Sequence, residues 1–470
     1  MSAIRSVDLV IVGAGPGGMA AARRAVGAGL STVVLDSQSQ PGGQIWRNAQ
    51  SNARSPIVGM LGSEYRRGIQ LVQSFLSCGA EYVPNAQVSR LAHGWIVEYV
   101  RENAIHFING KHLLLATGAQ ERPVPFPGWT LPGVMTVGAA QILLKTAGQL
   151  PEGPVVVAGN GPLPLLYLHQ MRTAGLTAAA YLDTTPRGLV ARAISGAAGA
   201  IANPGQVLKG VAWLPSFNRI PHVKGVASIV AKGLNRLEVV EVESAGGKVI
   251  QMEARTLLVH EGLVPNHQLA VSAGARLAWD VEQSAFRLER DEWMNAGPAG
   301  LYLAGDTARI GGALNAEIEG EIAAIGVLLQ SGKLTLAEAN AGAASLRRMR
   351  ARQKLFRSFL DGIYPPHLAL KRPEDTTILC RCEDLNAGKL REAAVQTGCK
   401  GLNQLKTFTR AGMGPCQGRQ CGYPVHELVK SVGGLPADKV GLYYPRPPFA
   451  PVTVSMLAKM ETDQIVEQSY

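Results

Sequence analysis

This 470-residue chain lacks long apolar runs, a recognisable secretion signal and the regular cysteine spacing of a disulfide-rich protein. No apolar run reaches the roughly 18 residues of a membrane span, so we expect no transmembrane segment. A strand pattern begins at Val7 to Val12 and leaves no room for a signal peptide, so we expect a cytoplasmic location. The six cysteines form no pattern typical of a secreted disulfide framework. A hydrophobic content of 46% excludes broad disorder and fits a glycine-rich α/β protein.

Acidic residues are also scarce, and the net charge is +11. Much of the excess lies in residues 341–372, where apolar residues alternate with basic ones at near-helical spacing. This pattern predicts an amphipathic helix that faces solvent or a partner subunit, rather than a nucleic-acid or anionic-membrane site. We therefore expect no nucleic-acid partner. The basic residues are Arg347, Arg348, Arg350, Arg352, Lys354, Arg357, Lys371 and Arg372, and they face only one acidic residue, Asp361.

The strongest nucleotide-binding motif stands at the N-terminus. The apolar run at 7–12 leads into G-A-G-P-G-G, an Ala- and Arg-rich helix and a second strand that ends at Asp36. Gly13 permits the tight turn, Gly15 lets the backbone approach a pyrophosphate, and Gly18 lets helix and strand pack closely. Free N–H groups at the helix N-terminus favour the diphosphate. Asp36 stands where a carboxylate usually binds ribose hydroxyls.

Three further segments separate FAD from NAD. Pro41-Gly42-Gly43-Gln44 is a tight turn just after the second strand, where the backbone can pass close to a flavin. The segments L-L-L-A-T-G at 113–118 and L-Y-L-A-G-D at 301–306 are strands that run into small-residue turns. Because ligands bind outside the carboxyl ends of strands in open α/β sheets, we expect all of these segments at one rim.

Residues 1–330 resemble the flavoproteins with two dinucleotide-binding domains, the thioredoxin-reductase-like or glutathione-reductase-like group. The resemblance implies an FAD-binding domain from residues 1–120 and 290–330, and a second nucleotide-binding-like domain from residues 121–289. Disulfide reduction is excluded, because residues 119–300 contain no cysteine. The FAD contacts that the resemblance implies are Gly13, Gly15, Gly18, Asp36, Gly43, Gln44, Arg47, Val88, Thr117, Gly118, Gly305 and Asp306.

The second domain carries a weaker version of the motif. A strand at 155–157 is followed by G-N-G-P-L-P, in which Pro164 stands where the family has a small residue. The proline ring would hinder the close approach of helix and strand. Asp183 ends the next strand and would favour an unphosphorylated ribose. Three outcomes stay open: a working hydride-donor site, a site that holds an adenine nucleotide without turnover, and an empty remnant. The nearby polar pair His260 and Glu261 is interpreted as structural.

Four cysteines near the C-terminus carry the remaining chemistry. C-R-C and C-Q-G-R-Q-C are two close pairs, which suit a [2Fe–2S] cluster or a structural zinc ion. Zinc pairs usually have roughly two to four residues between ligands, whereas the first pair here has one, which favours the cluster. Cys78 and Cys399 are interpreted as small buried hydrophobes. The expected ligands are Cys380, Cys382, Cys416 and Cys421.

The cysteine module resembles the bacterioferritin-associated-ferredoxin-like [2Fe–2S] domain, which is small and mainly helical and also begins with Cys-x-Cys. It departs from that domain in the second pair, which has four intervening residues here. We place the module at residues 375–435, with helices at 387–397 and 424–431. A basic helical linker at 331–374 precedes it, and a tail at 436–470 follows.

The whole chain resembles the alpha-type subunits of heteromeric dye-linked amino-acid dehydrogenases, such as the opine, proline and D-hydroxyproline enzymes and hydrogen cyanide synthase. G-G-Q-I-W-R at 42–47 and E-R-P-V-P-F-P-G-W-T-L-P-G-V at 121–134 are the family-specific stretches. The resemblance implies an electron-transfer subunit beside a beta-type FAD subunit resembling amino-acid oxidases, which removes a hydride from the substrate. It also implies FMN at the subunit interface and a small ferredoxin-like subunit.

Two other functions remain open from the residues alone. A self-contained NAD(P)H-dependent FAD/[2Fe–2S] oxidoreductase would use the second domain as its entry point. A scaffold subunit would hold zinc or leave its sites vacant. We find no constellation of histidines or carboxylates that demands acid–base chemistry, so we expect no catalytic residue in this chain.

Overall fold

The N-terminal apolar run forms a central strand of a mainly parallel sheet, as its unbroken Val, Leu and Ile residues predict. The computed structural model describes residues 4–186, 188–217, 220–367 and 373–459. The first strands are β1 (Ser6–Val12), β2 (Thr32–Leu35), β3 (Glu81–Val83), β4 (Gln87–Ala92), β5 (Ile96–Arg101) and β6 (Ala104–Leu115). The helices among them are α1 (Pro16–Gly27), α2 (Ala49–Asn52), α3 (Ile57–Leu61) and α4 (Ser63–Leu76), with a 3-10 turn at His93–Trp95.

These strands lie in the order β3-β2-β1-β6-β5-β4. β1 pairs in parallel with β2 and β6, whereas β5 is antiparallel to both of its neighbours. The carboxyl ends of β1, β2 and β6 therefore meet at one edge, where the glycine loop, Asp36 and Thr117 follow the three strands. This edge is the rim that the sequence predicts.

The middle of the chain forms a second parallel sheet and an antiparallel sheet that packs against it. The strands are β7 (Ala119–Glu121), β8 (Val134–Thr136), β9 (Val155–Gly159), β10 (Ala180–Asp183), β11 (His222–Lys224), β12 (Val226–Lys232), β13 (Val239–Ser244), β14 (Val249–Glu253), β15 (Thr256–His260), β16 (Leu263–Pro265), β17 (Leu277–Asp280) and β18 (Ala285–Leu288). The parallel sheet has the order β11-β10-β9-β15-β8, and the antiparallel sheet, β12-β13-β14, shares its apolar core. The helices are α5 (Val137–Ala147), α6 (Pro162–Thr173), α7 (Leu189–Ser195), α8 (Ala197–Ala202), α9 (Pro204–Trp213) and α10 (Gln268–Ser272), with a 3-10 turn at Leu214–Phe217.

The chain then returns to the first sheet. Strand β19 (Leu301–Leu303) pairs in parallel with β6, and a 3-10 turn at Gly305–Thr307 follows it. Helix α11 (Ala313–Gln330) packs closely on α1, since a Cβ on Gly320 would lie 2.1 Å from the carbonyl oxygen of Gly17. Helix α12 (Leu336–Ile363) begins with a capping box of Thr335 and Glu338. None of the helices in the described part of the chain is long and apolar enough to cross a membrane.

Helix α12 is the basic helix that the sequence predicts, but part of its charge is neutralised within the chain. Arg347 pairs with Glu292 at 2.9 Å, and Arg357 donates to Asp361 at 2.8 Å. Arg350 reaches a buried glutamate of α11, described below. Lys371 and Arg372 lie outside the described residues. The exposed basic residues that remain on this helix are Arg348, Arg352 and Lys354.

The C-terminal region is small and mainly helical. Its own apolar core includes Val440 and Tyr443, so its packing continues past residue 435 into the tail. The elements are β20 (Ile378–Cys380), β21 (Leu385–Asn386), α13 (Ala387–Thr397), α14 (Leu402–Thr409), α15 (Gly422–Gly433), α16 (Ala437–Val440) and α17 (Val454–Ala458).

Candidate functional site

The loop after β1 has no room for side chains at two of its glycines. Gly13 has a φ of +103°, and a Cβ there would lie 2.4 Å from the carbonyl oxygen of Ala116. A Cβ on Gly18 would lie 1.9 Å from the carbonyl oxygen of Gly13. Gly15, in contrast, is the N-cap of α1, and a Cβ there would make an ordinary contact of 3.9 Å with the Cα of Gly43. The free N–H groups at this helix start form a cradle for a diphosphate.

Asp36 lies beside that cradle at the end of β2. Its Oδ2 accepts a hydrogen bond of 2.5 Å from the Ala14 N–H, and its Oδ1 accepts one of 2.7 Å from the Gln38 N–H. Burial raises the pKa of Asp36 above its ordinary value, although these N–H groups and the nearby Arg47 oppose the rise. The carboxylate is therefore fixed in place by the backbone.

The P-G-G-Q turn packs directly against the glycine loop. The N–H of Gly42 donates to the carbonyl oxygen of Ala14 at 2.8 Å. A Cβ on Gly43 would lie only 3.0 Å from the Cα of Gly15. Gly42 and Gly43 both have positive φ, which glycine adopts at little cost. Two segments 28 residues apart thus form one surface.

Gln44 and Arg47 form the polar end of this surface. Gln44 Oε1 accepts from Arg47 Nη2 at 2.8 Å, and Arg47 also donates to the side chain of Gln38. The buried Nε of Arg47 has no hydrogen-bond partner in the described part of the chain. Lys145 Nζ, from α5, lies 3.2 Å from the Gln44 carbonyl oxygen and 2.8 Å from Gln141 Oε1. Burial lowers the pKa of Lys145 to about 7.

Thr117 and Gly118 join the first sheet to the second domain. Thr117 Oγ1 donates to the Asn266 carbonyl oxygen at 2.9 Å, and Asn266 Nδ2 donates back to the Thr117 carbonyl oxygen at 3.1 Å. The Gly118 N–H donates to Thr307 Oγ1 at 2.8 Å. Three segments are therefore held together at the rim: A-T-G at 116–118, L-V-P-N at 263–266, and the residues that follow A-G-D at 304–306.

The A-G-D turn completes this group. Gly305 has a φ of +70°, and its N–H donates to Glu319 Oε2 at 3.0 Å. Asp306 Oδ1 accepts from the N–H groups of Gly311 and Gly312 at 2.7 and 3.0 Å. Burial raises the pKa of Asp306, and the two N–H groups oppose that rise. Only one oxygen of the carboxylate takes part in these two bonds.

Glu319 is a buried anchor that sequence reasoning missed. Its Oε1 accepts from Arg290 at 2.5 Å and from Arg350 at 3.0 Å, while its Oε2 holds the turn at Gly305. Burial would raise the pKa of Glu319, but the two guanidinium groups outweigh burial and lower it. Helix α11 carries three glutamates, Glu317, Glu319 and Glu321, and its sequence alone does not single out Glu319 as the buried one.

Val88 differs from the other expected FAD contacts. It lies on β4, pairs with Tyr99 and has its side chain buried in the core of the first sheet. The preceding loop meets the Asp36 segment, since the Ala86 N–H donates to the Asp36 carbonyl oxygen at 2.8 Å. The side chain of Val88 is thus committed to packing.

The second glycine-rich loop has the shape of a dinucleotide loop. Gly159 has a φ of +136°, and a Cβ there would lie 1.9 Å from the carbonyl oxygen of His260. Helix α6 begins at Pro162, and Pro164 is buried in its first turn. A proline is tolerated there because the first N–H groups of a helix have no intrahelical partner. Pro164 therefore does not prevent the helix from forming.

A short segment of the chain itself lies across this loop. We name residues Tyr364–His367, which follow α12, the strap. The Pro365 carbonyl oxygen accepts from Asn160 Nδ2 at 2.9 Å, and the His367 N–H donates to Glu261 Oε2 at 3.1 Å. Asn160 follows β9 and Glu261 follows β15, where the strand order reverses. The strap thus covers the crevice in which open α/β sheets bind nucleotides.

His260 and Glu261 both serve as anchors, in line with their structural interpretation. Glu261 also accepts from Thr184 Oγ1 at 2.5 Å, and burial raises its pKa. His260 Nδ1 lies 2.7 Å from Glu121 Oε1, and the other oxygen of Glu121 accepts from the Gly138 N–H at 2.9 Å. These pairs connect β15 to β10, β7 and the start of α5.

The four cysteine thiols form two hydrogen-bonded pairs, Cys380 with Cys421 and Cys382 with Cys416. The Cys421 thiol and backbone N–H groups, including that of Gly412, lower the pKa of Cys380 to about 6. The pKa of Cys421 is raised by its hydrogen bond to Cys380 and by burial. Burial also raises the pKa of Cys382.

The surroundings of the thiols are tightly packed. A Cβ on Gly414 would lie 2.2 Å from the Cβ of Cys382, and one on Gly418 would lie 2.4 Å from the ring of Tyr443. Backbone N–H groups directed at sulfur and four thiols in two pairs suit a metal–sulfur group. Among the residues that the structure describes, no three His, Cys, Asp or Glu side chains lie together as ligands of a single metal ion. Cys399 stays apart and contacts Thr397 Oγ1 at 2.8 Å.

The rim, both sheets and the cysteine module account for nearly the whole chain, and known proteins share this arrangement. A model of the pyridine nucleotide-disulphide oxidoreductase family matches residues 7–320. The chain belongs to this family. The sarcosine oxidase A3 domain model matches residues 376–460, which contain all four clustered cysteines. The family confirms an oxidoreductase with FAD as its cofactor and confirms the α/β fold class.

Relatives extend the match over almost the full length of this flavoprotein. It is 40% identical to the A subunit of opine oxidase from Agrobacterium tumefaciens, over 96% of this chain and 92% of the relative. It is 33% identical to the HcnB subunit of hydrogen cyanide synthase from Pseudomonas aeruginosa, over 97% of this chain and 99% of the relative. These relatives confirm the predicted resemblance to that group of subunits. Among solved structures, L-proline dehydrogenase from P. horikoshii shares the fold with a TM-score of 0.72 at 19% identity, over 98% of this chain and 81% of that one.

Proposed function

We propose that this chain is the electron-transfer subunit, with FAD and a [2Fe–2S] cluster, of a heteromeric dehydrogenase that oxidises the C–N bond of an amino acid or opine. The observation that carries the proposal is the pairing of four thiols in a module docked on a flavoprotein. Two relatives, the A subunit of opine oxidase and the HcnB subunit of hydrogen cyanide synthase, are by name parts of larger enzymes and support the same conclusion.

The residues at the rim of the first sheet would bind FAD through backbone groups and through the carboxylates of Asp36 and Asp306. Gly13, Gly15 and Gly18 leave the start of α1 open to a diphosphate, and Asp36 offers a fixed carboxylate to a ribose. The unpartnered Nε of Arg47 is a donor for a further polar group of the cofactor. When bound, FAD takes up electrons in pairs and releases them to one-electron acceptors. Gln44, Thr117, Gly118, Gly305 and Asp306 would line the rest of the site, with Gly43 in the turn and Val88 behind it.

Cys380, Cys382, Cys416 and Cys421 would hold the cluster. Two thiol pairs match the needs of two irons, whereas one zinc ion takes a single tetrahedral set. The lowered pKa of Cys380 favours the thiolate that iron requires. Such a cluster, when bound, transfers electrons one at a time. The N–H groups around Cys380 and the small residues Gly412 and Gly414 shape the ligand loop.

The ionisable groups at the rim are engaged in structural bonds, which supports placing the substrate chemistry elsewhere. Glu121 holds His260 and Gly138, and Glu319 holds two arginines. We infer that amine oxidation takes place in a beta-type FAD subunit resembling amino-acid oxidases, with FMN at the interface and a small ferredoxin-like subunit. A cytoplasmic complex fits this proposal.

The strap argues against nicotinamide as the electron donor. A dinucleotide would have to displace the bonds of Pro365 to Asn160 and of His367 to Glu261 before it reached the second loop. We therefore propose that the second domain does not exchange hydride with a nicotinamide. An adenine nucleotide held without turnover would face the same obstacle.

Purification of the chain from its native source tests the proposed function. We expect a second flavoprotein chain to accompany it, together with flavin, iron and acid-labile sulfide in the complex. Zinc in place of iron and sulfide would overturn the cluster. A chain that purifies alone and oxidises an amino acid or opine would overturn the assignment of substrate chemistry to a partner.

A further inference from the structure

The side chain of Gln120 connects the rim of the first sheet directly to the C-Q-G-R-Q-C segment, which we call the cysteine loop. Gln120, on β7, follows two residues after Gly118, and its Nε2 donates a 2.7 Å hydrogen bond to the Arg419 carbonyl oxygen. Arg419 lies between Cys416 and Cys421 in the C-Q-G-R-Q-C segment. The path from the A-T-G turn to the ligand loop is therefore two residues of backbone, one side chain and one hydrogen bond.

The rim end of this connection is fixed. β7 pairs with β16, and Gln120 lies opposite Val264 in that ladder. The turn before it is held by the bond from the Gly118 N–H to Thr307. Arg122, two residues after Gln120, is buried, and its guanidinium donates to the carbonyl oxygens of Ser284 and Gln283. Gln120 therefore projects from a short strand that is anchored on both sides.

The cysteine end is fixed as well. Arg419 Nε donates to the Cys416 carbonyl oxygen at 3.0 Å, and its Nη2 donates to the Phe449 carbonyl oxygen at 2.8 Å. The Arg419 N–H also donates to the Cys416 carbonyl oxygen at 3.0 Å. The carbonyl group that Gln120 contacts is thus part of a rigid loop that begins at one expected ligand.

We propose that Gln120 is a positioning residue that fixes the cysteine loop against the flavin rim for electron transfer between the two cofactors. The inference rests on the proposed function. In each transfer the reduced flavin loses one electron and the cluster gains one, and no bond in the loop forms or breaks. The two electrons of a reduced flavin leave in two such transfers, each passed on to an external one-electron carrier.

Other contacts dock the module, so Gln120 is not needed for docking. Trp129 Nε1 donates to the Ile378 carbonyl oxygen at 2.8 Å. The Phe286 N–H donates to Tyr423 Oη at 3.1 Å. Both contacts lie outside the C-Q-G-R-Q-C segment. Among these contacts between the described residues, that of Gln120 is the one that ties the ligand loop itself to β7.

The Gln120→Leu variant tests the inference, because leucine keeps the bulk and removes the donor. Its matched control is Gln417→Leu, since Gln417 lies in the same loop and donates a 2.7 Å bond to the Pro448 carbonyl oxygen, away from β7. In the purified complex, the flavin is reduced by a light flash under anaerobic conditions and reduction of the cluster is followed by absorbance. Iron, acid-labile sulfide and the cluster midpoint potential are measured in each protein.

We expect Gln120→Leu to slow flavin-to-cluster transfer about fivefold, because a hydrogen bond contributes about 1 kcal/mol and its loss lowers the population of the correctly positioned loop by that factor. Iron content and potential should match the wild type, and Gln417→Leu should transfer at the wild-type rate. In the metal-free chain, amide hydrogen exchange at 416–421 should rise in Gln120→Leu. Equal rates in Gln120→Leu and wild type, or loss of iron from that variant, would overturn the positioning role while leaving the proposed function intact. A wild-type protein without iron and sulfide would overturn the proposed function and this inference with it.

Discussion

The carbonyl oxygen of Pro365 accepts a 2.9 Å hydrogen bond from the amide of Asn160, the residue between the two glycines of the second dinucleotide loop. The contact joins residues that are far apart in the chain and lies where the order of the parallel strands reverses. The protein therefore covers its own second nucleotide crevice with a proline-containing segment.

The wild-type flavin should not be reduced by NADH or NADPH under anaerobic conditions, because the strap covers the second dinucleotide loop.

Removing the side-chain amide of Asn160 should loosen the strap. In Asn160→Ala, the affinity for ADP should rise about fivefold, because a hydrogen bond contributes about 1 kcal/mol and the apparent affinity follows the population of the open state. Calorimetric titration with ADP measures the change.

The control for this variant is Asn403→Ala. Asn403 Nδ2 also donates to a backbone carbonyl oxygen, that of Leu442 at 3.1 Å, but it lies in the cysteine module. Its ADP affinity should equal that of the wild type. Rapid bleaching of the wild-type flavin by NADH would contradict the covering role of the strap.

Helix α1 should tolerate a methyl group at Gly27, its last residue, but not at Gly18 in its first turn. In Gly18→Ala the new Cβ would lie 1.9 Å from the Gly13 carbonyl oxygen, so the turn must shift and FAD should be lost on purification. In Gly27→Ala no atom lies within 4 Å of the new Cβ, and FAD content should stay at the wild-type level. Flavin absorbance per chain is the measurement. Full FAD occupancy in Gly18→Ala would mean that the cofactor does not use this turn.

Glu319 should be the most costly carboxylate to neutralise on α11. Glu319→Gln leaves the buried Arg290 without its counter-charge, and we expect a loss of about 3–5 kcal/mol in the free energy of unfolding at neutral pH. Glu321→Gln, on the same helix, loses only a half-exposed pair with Arg24 at 3.7 Å and should cost less than about 1 kcal/mol. Denaturant titration of both variants distinguishes these values.

The pH dependence of this effect has a definite sign. The folded pKa of Glu319 lies below its ordinary value of 4.5, so the unfolded chain binds the proton more tightly. The stabilisation is therefore present above pH 4.5 and is lost as the pH falls through the folded pKa. The difference between wild type and Glu319→Gln should narrow over that acidic range. A difference that is constant with pH would show that charge pairing is not its cause.

The paired cysteines should differ from the remaining buried one. Cys380→Ser and Cys421→Ser each remove a thiol from a pair and should abolish iron and sulfide binding. Cys399→Ser should retain both, because the Cys399 thiol contacts the Thr397 hydroxyl and packs in the module core, outside the two thiol pairs. Iron and acid-labile sulfide per chain are measured after reconstitution. Retention of iron in Cys380→Ser, or its loss in Cys399→Ser, would require a different ligand set.

The helices and strands whose ends are marked by neighbouring residues in the chain were predicted best. Helix α13 has the predicted bounds of 387–397, because Asn386 caps its start and Gly398 in the left-handed region ends it. The first strand, glycine loop and helix α1 also follow directly from an unbroken apolar run and three glycines. In these cases the determining contacts lie within a few residues of each other in the chain.

Contacts between distant segments could not be predicted in the same way. The strap meets a loop about 200 residues earlier, and nothing in Y-P-P-H specifies that partner. The bonds from Gln120 to Arg419 and from Glu319 to Arg290 likewise depend on how the domains pack. The sequence indicated candidate site residues, while tertiary packing determined which residues meet.

Anaerobic mixing of the isolated chain with amino acids and opines tests the central claim most directly. The flavin absorbance of this chain is followed first alone and then after addition of the partner purified from the same source. Electron delivery from a partner predicts that the flavin stays oxidised until the partner is present and then bleaches. Bleaching of the isolated chain by an amino acid or opine would contradict electron delivery from a partner.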